Sequence, residues 1–145
     1  MKEADTLAFP GDGSLLIVAH PDDEILWFGS IVAEVDKIVV CFLDDPAHPE
    51  LAVARERVLE EHPLRDRIVC LGVDETGAFN HADWPRPKPT KYGLRIVKAR
   101  KIAKAYRLCY RQLKKKLAPI IREASSVITH NPWGEYGHEE HVLVH

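Results

Sequence analysis

The sequence lacks long apolar runs, is poor in cysteine and contains no internal repeat or low-complexity tract. The longest uninterrupted apolar runs cover residues 15–19 and 38–43, far short of the roughly 20 residues that a membrane-spanning helix needs. The N-terminus also lacks the apolar core of a signal peptide. We therefore expect a soluble, cytoplasmic protein with no membrane span.

The three cysteines are too widely spaced to form a recognisable metal or disulfide motif. Cys41, Cys70 and Cys109 lie in apolar stretches without CxxC spacing. We expect them to be small buried hydrophobic residues, as is usual for free cysteine in a reducing compartment.

Acidic residues are absent from one long segment, residues 86–122, which holds 14 of the 20 lysines and arginines. The remainder of the chain carries 6 basic and 22 acidic residues, so a net charge of −2 conceals a strong asymmetry. Such a segment favours an anionic partner or substrate. The alternative is that the basic segment docks on the acidic body of the same molecule.

Short β-branched runs alternate with helical patterns, which predicts an α/β fold: a Rossmann-like three-layer sandwich with a mainly parallel sheet. An irregular, flexible insert is expected at 72–92, where Pro85, Pro87 and Pro89 disfavour regular structure. We expect Pro119 to kink or restart the last helix. Strands buried on both faces are predicted at 15–19, 37–43, 68–71 and 127–129, and helices at 24–35, which is apolar almost all round, 49–61 and 93–117.

The first predicted strand leads directly into an acidic cluster, His20 to Glu24. Ligands bind at the carboxyl ends of strands in open parallel sheets, so chemistry is expected there. Carboxylates this crowded repel one another unless a divalent cation is present. His20 and Asp23 can converge on one metal ion while Asp22 faces a metal-bound water. The alternative is that the acids only cap a helix N-terminus and favour its dipole.

A second cluster, THNPWGEYGHEEH at 129–141, follows the last predicted strand and reaches the same edge of the sheet. His138 and His141 are three residues apart. Two histidines and one carboxylate would leave zinc an open fourth position, as in catalytic zinc sites. His141 paired with His145, four residues apart, is an alternative that the sequence leaves open.

The motifs AHPDDE at 19–24 and GHEEH at 137–141, in this order and at strand ends, resemble those of the PIG-L family. This family, also called LmbE-like, comprises zinc-dependent N-deacetylases that act on compounds containing N-acetylglucosamine, and the resemblance spans nearly the whole chain. It implies zinc ligands His20, Asp23 and His141, a general base Asp22, and His138 as the group that stabilises the oxyanion and protonates the leaving amine.

The resemblance agrees with the chemistry of the residues. Zinc lowers the pKa of a bound water to about 7, so that Asp22 could take its proton as the water attacks an acetamide carbonyl. We therefore expect an enzyme with one Zn²⁺ per chain that removes an acetyl group from an N-acetylated amino sugar. The expected partner is this small-molecule amino sugar, with no nucleic acid.

Four further residues are weaker candidates for substrate binding. Arg55 resembles an arginine on the family's helix after the second strand, although an exposed helical ion pair is the alternative. Asp45, which with Asp44 ends the second strand, could bind sugar hydroxyls or simply form a turn. Trp133 and Tyr136 could form a stacking wall for a sugar ring, or could be packed aromatic residues.

Two features depart from the family pattern. The sequence stops at His145, four residues after His141, whereas the family usually continues, so 1–145 is expected to be one deacetylase domain truncated at its C-terminus. Residues 28–30, Phe-Gly-Ser, replace a more usual glycine pair. Two rival functions are a non-catalytic module that binds nucleic acid or acidic lipid through residues 86–122, and a metal-dependent phosphohydrolase that uses the same ligands.

Overall fold

Four parallel strands form the main sheet of the structure, a computed structural model that describes residues 12–97 and 99–145. A short antiparallel pair of strands lies outside this sheet. In chain order the elements are β1 (Ser14–Val18), α1 (Asp23–Leu26), a 3₁₀ helix (Val32–Glu34), β2 (Lys37–Phe42), α2 (Glu50–Glu61), a second 3₁₀ helix (Arg65–Arg67), β3 (Ile68–Val73), β4 (Pro89–Thr90), β5 (Gly93–Leu94), α3 (Arg100–Glu123), β6 (Ser126–Thr129) and α4 (Glu139–Val144).

The strand order β3-β2-β1-β6 places the first strand inside the sheet, and all neighbouring strands are parallel. The chain builds outward from β1 to β3 and then returns to add β6 on the other side of β1. The strand order therefore reverses between β1 and β6. In open α/β sheets, ligands bind at such a topological switch point. The predicted α/β Rossmann-like fold is confirmed.

Alternate side chains of β1 enter two cores, one on each face of the sheet. Elements pack on both faces, as the three-layer prediction required. The first core joins Leu15, Ile17, Ala19, Val39 and Cys41 to Tyr106, Cys109, Leu113 and Leu117 of α3 and to Leu143 and Val144 of α4. The second core joins Leu16, Val18, Ile38 and Val40 to Val32 and Val35.

The outer strands are less buried than the sequence suggests. Val69 of β3 is 40% exposed and Val127 of β6 is 43% exposed, whereas all five residues of β1 are buried. Each outer strand has a single neighbour within the described part of the sheet. The prediction that all four strands are buried on both faces is therefore wrong for the outer two.

The predicted helix at 24–35 is also wrong in length and burial. α1 ends at Leu26, turns follow, and only a short 3₁₀ helix forms at Val32–Glu34. Ile25 is 52% exposed and Leu26 is 64% exposed. Gly29 interrupts the segment, and it is a weaker helix former than the residues around it.

The two longer helices differ in how closely they follow prediction. α2 begins directly after Pro49, as expected. α3 begins later than predicted, because Gly93–Leu94 pairs with β4, and it continues through Pro119 to Glu123. A proline inside a helix costs about 3 kcal/mol. Buried Leu117 and partly buried Ile120 pack on the first core and offset part of that cost.

The insert at 72–92 contains more order than its prolines predict, because it includes β4, and Ala82 forms a bridge with Ile96.

All three cysteines are free, with Cys41 and Cys109 buried, and burial raises the pKa of the Cys109 thiol to about 12. Across residues 12–97 and 99–145, no helix combines the length and the apolar character needed to cross a membrane.

Candidate metal centre

Two loops meet at the carboxyl edge of the sheet. The first follows β1 and carries His20 to Glu24, and the second follows β6 and leads into α4. Because β1 and β6 are parallel neighbours, with Ile17 opposite Thr129, the two loops emerge side by side. The sheet thus brings together two segments that are more than 100 residues apart in the sequence.

The carboxylate of Asp23 lies at the centre of this meeting point. Its Oδ2 accepts the backbone N–H of His20 at 2.8 Å and lies 3.3 Å from His20 Nδ1 and 3.4 Å from His141 Nε2. Burial alone would raise the pKa of Asp23, but the neighbouring imidazoles, His130 and His20 foremost, hold it well below its ordinary value. Asp23 is therefore an ionised carboxylate, the form that binds metals.

His141 presents one nitrogen with no hydrogen-bond partner. Its Nδ1 lies 2.7 Å from Glu135 Oε2, whereas Nε2 is buried and unsatisfied. Burial lowers the pKa of His141, which favours the neutral ring. A buried nitrogen lone pair beside an ionised carboxylate fits a metal ion, because such an orphaned atom is otherwise costly to bury.

Three groups of side chains in the described part of the chain have ligand atoms close enough to share an ion: His20 with His138 and His141, Asp23 with His130 and His141, and His20 with Glu75 and Glu140. The predicted triad of His20, Asp23 and His141 is not itself one of these groups, although Asp23 Oδ2 lies 3.3 Å from His20 Nδ1 and 3.4 Å from His141 Nε2. His145 belongs to none of the three groups; its Nδ1 donates instead to the carbonyl of His130 at 2.8 Å. The alternative pair of His141 and His145 is not supported by this arrangement.

Each ring nitrogen of His20 faces a carboxylate. Nδ1 faces Asp23, and Nε2 lies 3.1 Å from Glu140 Oε2. Burial opposes its charge, but the hydrogen bonds to Asp23 and Glu140 prevail and raise the pKa of His20 to about 10. Binding of a metal ion by His20 therefore displaces a proton, since a ligating imidazole must be neutral.

Asp22 is exposed beside the centre and has an unusual backbone. Its φ is +142°, a value that residues other than glycine rarely adopt. Its carbonyl accepts the amides of Ile25 at 3.0 Å and Leu26 at 2.9 Å, which start α1. Burial of the carboxyl group, and then the charge of Asp23, raise the pKa of Asp22. A raised pKa makes a carboxylate a stronger base.

His138 is the N-cap of α4 and lies against His20 and His141, with ring centroids 4.9 Å and 4.7 Å away. Its Nδ1 accepts the amide of Glu140 at 3.2 Å, which leaves the proton of the neutral ring on Nε2. Burial, followed by the charges of His20 and His141, lowers the pKa of His138 to about 4. Burial therefore favours the neutral ring, in which Nε2–H is the hydrogen-bond donor.

Arg55 reaches the centre through Glu75. Its guanidinium pairs with Glu75 Oε1 and donates to the carbonyl of Leu43 at 2.9 Å, while Glu75 Oε1 lies 3.7 Å from His20 Nε2. Arg55 is thus not part of an exposed helical ion pair. That description fits Arg57 and Glu61, which pair at 2.8 Å and are largely exposed.

Asp45 forms a local turn. Its Oδ1 accepts the backbone N–H of Ala47 at 2.8 Å, and its carbonyl accepts the amide of His48 at 2.9 Å. Side-chain bonds of this kind are typical of turns that begin with aspartate. The geometry favours the turn over a role in binding sugar hydroxyls.

Tyr136 and Trp133 are not brought together. The ring of Tyr136 stacks on Trp27 at 5.7 Å and meets the ring of His141 edge-on at 5.6 Å. Trp133 lines a separate cavity of about 380 Å³ between the β4–β5 pair and α4. Within residues 12–97 and 99–145, no ring contact joins Trp133 to Tyr136. The aromatic wall beside the centre is made instead by Tyr136, Trp27 and Phe79, whose ring stacks on His138 at 4.8 Å.

The two glutamates of the GHEEH motif hold the loop that the prolines suggested would be flexible. Glu139 Oε1 accepts the amide of Ala82 at 2.8 Å and the indole N–H of Trp84 at 3.1 Å. Glu140 Oε1 accepts both the amide of Thr76 at 2.6 Å and its hydroxyl at 2.7 Å. Both glutamates are fully buried. The sequence analysis gave neither glutamate a role. The signal was that two acidic residues begin an otherwise apolar helix, which indicates that both are buried and hydrogen-bonded.

His130 and Glu135 are the other residues that sequence reasoning missed. His130 is 1% exposed, and its Nε2 accepts the amide of Ala19 at 2.9 Å. Glu135 lies within hydrogen-bonding distance of both His130 and His141. Both belong to the segment at 129–141, but no spacing rule distinguishes a residue that supports a ligand from one that faces solvent.

Comparison with known proteins identifies the family of the chain. The family model PIG-L, described as GlcNAc-PI de-N-acetylase, matches residues 15–145. A curated relative from Kineococcus radiotolerans, 1D-myo-inositol 2-acetamido-2-deoxy-alpha-D-glucopyranoside deacetylase, is 29% identical over 153 residues, covering 90% of this chain and 42% of that protein. The chain thus spans less than half the length of this relative, and no solved structure matches it. Because the family model matches nearly the whole sequence, the protein belongs to the PIG-L family.

Proposed function

We propose that this protein is a zinc-dependent hydrolase that removes the acetyl group from an N-acetylated amino sugar. The observation that carries the proposal is the orphaned, buried Nε2 of His141, 3.4 Å from the ionised carboxylate of Asp23. The family and the name of the curated relative support an amide-cleaving activity on a conjugate of the N-acetylglucosamine type.

In this proposal His20, Asp23 and His141 hold one zinc ion. Two imidazoles and a carboxylate are a ligand set that zinc uses in hydrolases, and they leave a fourth position open. A bound zinc ion supplies a Lewis acid that acidifies water and polarises a carbonyl oxygen. The alternative ligand His130 is less suitable, because its Nε2 lone pair already accepts the amide of Ala19.

Asp22 takes a proton from the attacking water. Its carboxylate lies next to Asp23 in sequence, is exposed at the mouth of the site, and has a raised pKa that suits it to the role of general base. As the water oxygen attacks the acetamide carbon, the amide carbonyl oxygen becomes negative. The proton on Asp22 later leaves with the amine, which returns Asp22 to its ionised form.

His138 serves the oxyanion and the leaving nitrogen. Its Nε2–H is free to donate because Nδ1 is occupied by the amide of Glu140. A fixed donor aimed at a developing negative charge stabilises the transition state more than the substrate. Asp22 returns its proton to the leaving nitrogen, which the neutral His138 ring orients by hydrogen bonding, so that acetate and a free amine are released.

The substrate is bound above this centre. Tyr136 and Trp27 offer an aromatic surface for the apolar face of a sugar ring, and Arg55 with Glu75 offers hydrogen-bonding groups near His20. Trp133 and Asp45 have no part in this arrangement, since Trp133 lines a separate cavity and Asp45 serves a local turn.

The test is acetate release from a panel of N-acetylglucosamine conjugates, including an inositol conjugate, after addition of one equivalent of Zn²⁺. We expect activity that a chelator abolishes and Zn²⁺ restores. Absence of acetate from every compound, with zinc measured in the protein, would refute the substrate class. Turnover of phosphate esters alone would support the rival phosphohydrolase.

A second candidate function concerns the basic segment at 86–122. In the part of this segment that the structure describes, Arg86 is the one cation that pairs with a carboxylate, and its partner is the nearby Asp83 at 3.7 Å. The basic segment is therefore not neutralised by the acidic body. A row of exposed cations along α3 is available to an anionic partner: Arg100, Lys104, Arg107, Arg111, Lys115 and Arg122.

Binding to anionic vesicles and to nucleic acid, each measured at several salt concentrations, tests this second candidate. Affinity that falls steeply with salt supports an anion-binding surface. Absence of binding at low salt leaves the deacetylase as the remaining proposal.

A further inference from the structure

We propose that Glu135 is a positioning residue that sets which nitrogen of His141 carries a proton, and through it the affinity of the centre for zinc. This inference rests on the proposed zinc site but concerns a residue outside the ligand set. Glu135 Oε2 lies 2.7 Å from His141 Nδ1 and 3.0 Å from His130 Nδ1, and Oε1 accepts the amide of Asn131 at 2.9 Å.

The chemistry of these contacts decides the proton positions. An ionised carboxylate can only accept hydrogen bonds, so both imidazoles must donate Nδ1–H to Glu135. For His130 this assignment has independent support, because its Nε2 accepts the amide of Ala19 and so carries no proton. For His141 the same assignment leaves Nε2 with a lone pair, and this is the buried atom that lacks a hydrogen-bond partner.

The contacts form a continuous chain of hydrogen bonds from the sheet to α4, which we call the strut: Ala19, His130, Glu135 and His141. The amide of Ala19, at the end of β1, donates to His130, and Glu135 joins His130 to His141. The rings of His130 and His141 also stack, with centroids 4.0 Å apart and planes at 21°. The strut therefore fixes both the protonation and the orientation of the His141 ring relative to Asp23.

The backbone at Glu135 indicates that its side chain is needed there. Glu135 has φ of +50°, a left-handed conformation that is unfavourable for residues other than glycine. Its side chain is 10% exposed, so the carboxylate must find partners inside the protein. The three N–H groups that surround it meet that need.

Replacement of Glu135 by glutamine breaks the pattern while keeping the shape. If the amide oxygen faces the histidines, the NH₂ group confronts the amide of Asn131, donor against donor. If the NH₂ group faces the histidines, His141 must accept through Nδ1 and move its proton to Nε2. Either arrangement weakens the site, and supporting carboxylates of this kind typically change metal affinity by roughly 10–100-fold.

The first test needs no variant. In metal-free wild-type protein, ¹⁵N NMR of the histidine rings should show His141 as the Nδ1–H form. The Nε2–H form in the folded wild-type protein would overturn the proposal, whatever the variants do.

The second test measures Zn²⁺ affinity by competition with a chelator, without substrate. Glu135→Gln should bind Zn²⁺ roughly 10–100-fold more weakly than wild type. Glu61→Gln is the matched control, because Glu61 is exposed and pairs only with Arg57 among the ion pairs of the described chain, and it should bind as wild type does. Affinity of Glu135→Gln within twofold of wild type would also overturn the proposal.

These tests separate this inference from the deacetylase proposal. Suppose that His141 has the expected protonation and Glu135→Gln loses zinc affinity, but no conjugate releases acetate. The role of Glu135 is then supported and the proposed substrate class is refuted. If acetate is released and Glu135→Gln keeps full zinc affinity, the deacetylase proposal stands and the strut fails.

Discussion

Each end of the sheet carries an aspartate whose pKa is held below its ordinary value, and the two aspartates have opposite surroundings. At the amino end, Asp36 Oδ2 accepts the amide of Ser14 at 2.9 Å and its hydroxyl at 3.1 Å, and the amide of Asp36 donates back to Ser14 Oγ at 3.1 Å. At the carboxyl end, Asp23 faces three imidazoles, one of which retains an unsatisfied nitrogen.

This difference shows how a polar cluster that only holds the fold together can be told from one that forms a functional site. The Asp36–Ser14 pair is reciprocal and uses backbone groups, so it joins β1 to the start of β2. The Asp23 cluster is assembled from side chains of two loops and is incomplete without a further partner. An unsatisfied nitrogen that can bind a metal ion, more than the number of charged residues, distinguishes the two ends, because the unsatisfied Ser126 Oγ at the amino end is not a usual zinc ligand.

The largest expected effect comes from removing that nitrogen. His141→Ala should abolish stoichiometric binding of Zn²⁺, measured by metal analysis after dialysis, because the buried nitrogen opposite Asp23 is lost. His145→Ala should keep stoichiometric binding, since His145 bonds to a backbone carbonyl. The reverse outcome would favour the His141–His145 pair and overturn the ligand assignment.

The next effect separates catalysis from zinc binding at the carboxyl end of the sheet. Asp22→Asn should lower kcat for acetate release by roughly 10²–10⁴-fold while zinc content stays near that of wild type. Asp45→Asn is a suitable control, because its carboxylate serves a local turn, and its kcat should change little. Full activity in Asp22→Asn would exclude Asp22 as the general base.

A smaller effect is expected on stability. Glu139→Gln places an NH₂ group against the donors of Ala82 and Trp84, which should reduce the free energy of unfolding by about 1–3 kcal/mol. Urea denaturation measures the loss. Glu61→Gln, at an exposed ion pair, should change stability by less than about 1 kcal/mol. Equal stability of the two variants would show that Glu139 does not hold the 76–84 loop.

The smallest effect belongs to the amino end. The hydrogen bonds from the Ser14 amide and hydroxyl lower the pKa of Asp36, so its contribution to stability is present above the ordinary pKa of 3.8 and is lost as the pH falls through the lower folded value. Asp36→Asn should therefore have a slightly lower Tm than wild type at pH 6, with the difference closing in acid. Zinc binding by Asp36→Asn should be unchanged; a loss would mean that the two ends are coupled.

Sequence patterns located the strands well because buried parallel strands are short, continuous apolar runs. They located the site region because the residues after β1 and β6 follow strand ends directly. Local patterns failed at 24–35, where Ile25 is 52% and Leu26 is 64% exposed, so the described part of the chain offers little packing to hold a long helix there. Propensity cannot report whether another element will cover a helix face.

The sequence by itself determined the α/β alternation, the two motifs and the residue types that can hold zinc, because each depends on neighbours along the chain. Only the tertiary structure decided that Glu135 and His130 support His141, that Glu139 and Glu140 hold the proline-rich loop, and that Trp27, not Trp133, lies beside Tyr136. These relations depend on β1 and β6 lying side by side, and on a loop 55 to 64 residues before α4 packing against it. Distance in space sets hydrogen bonds and ring contacts, and separation along the sequence does not encode it.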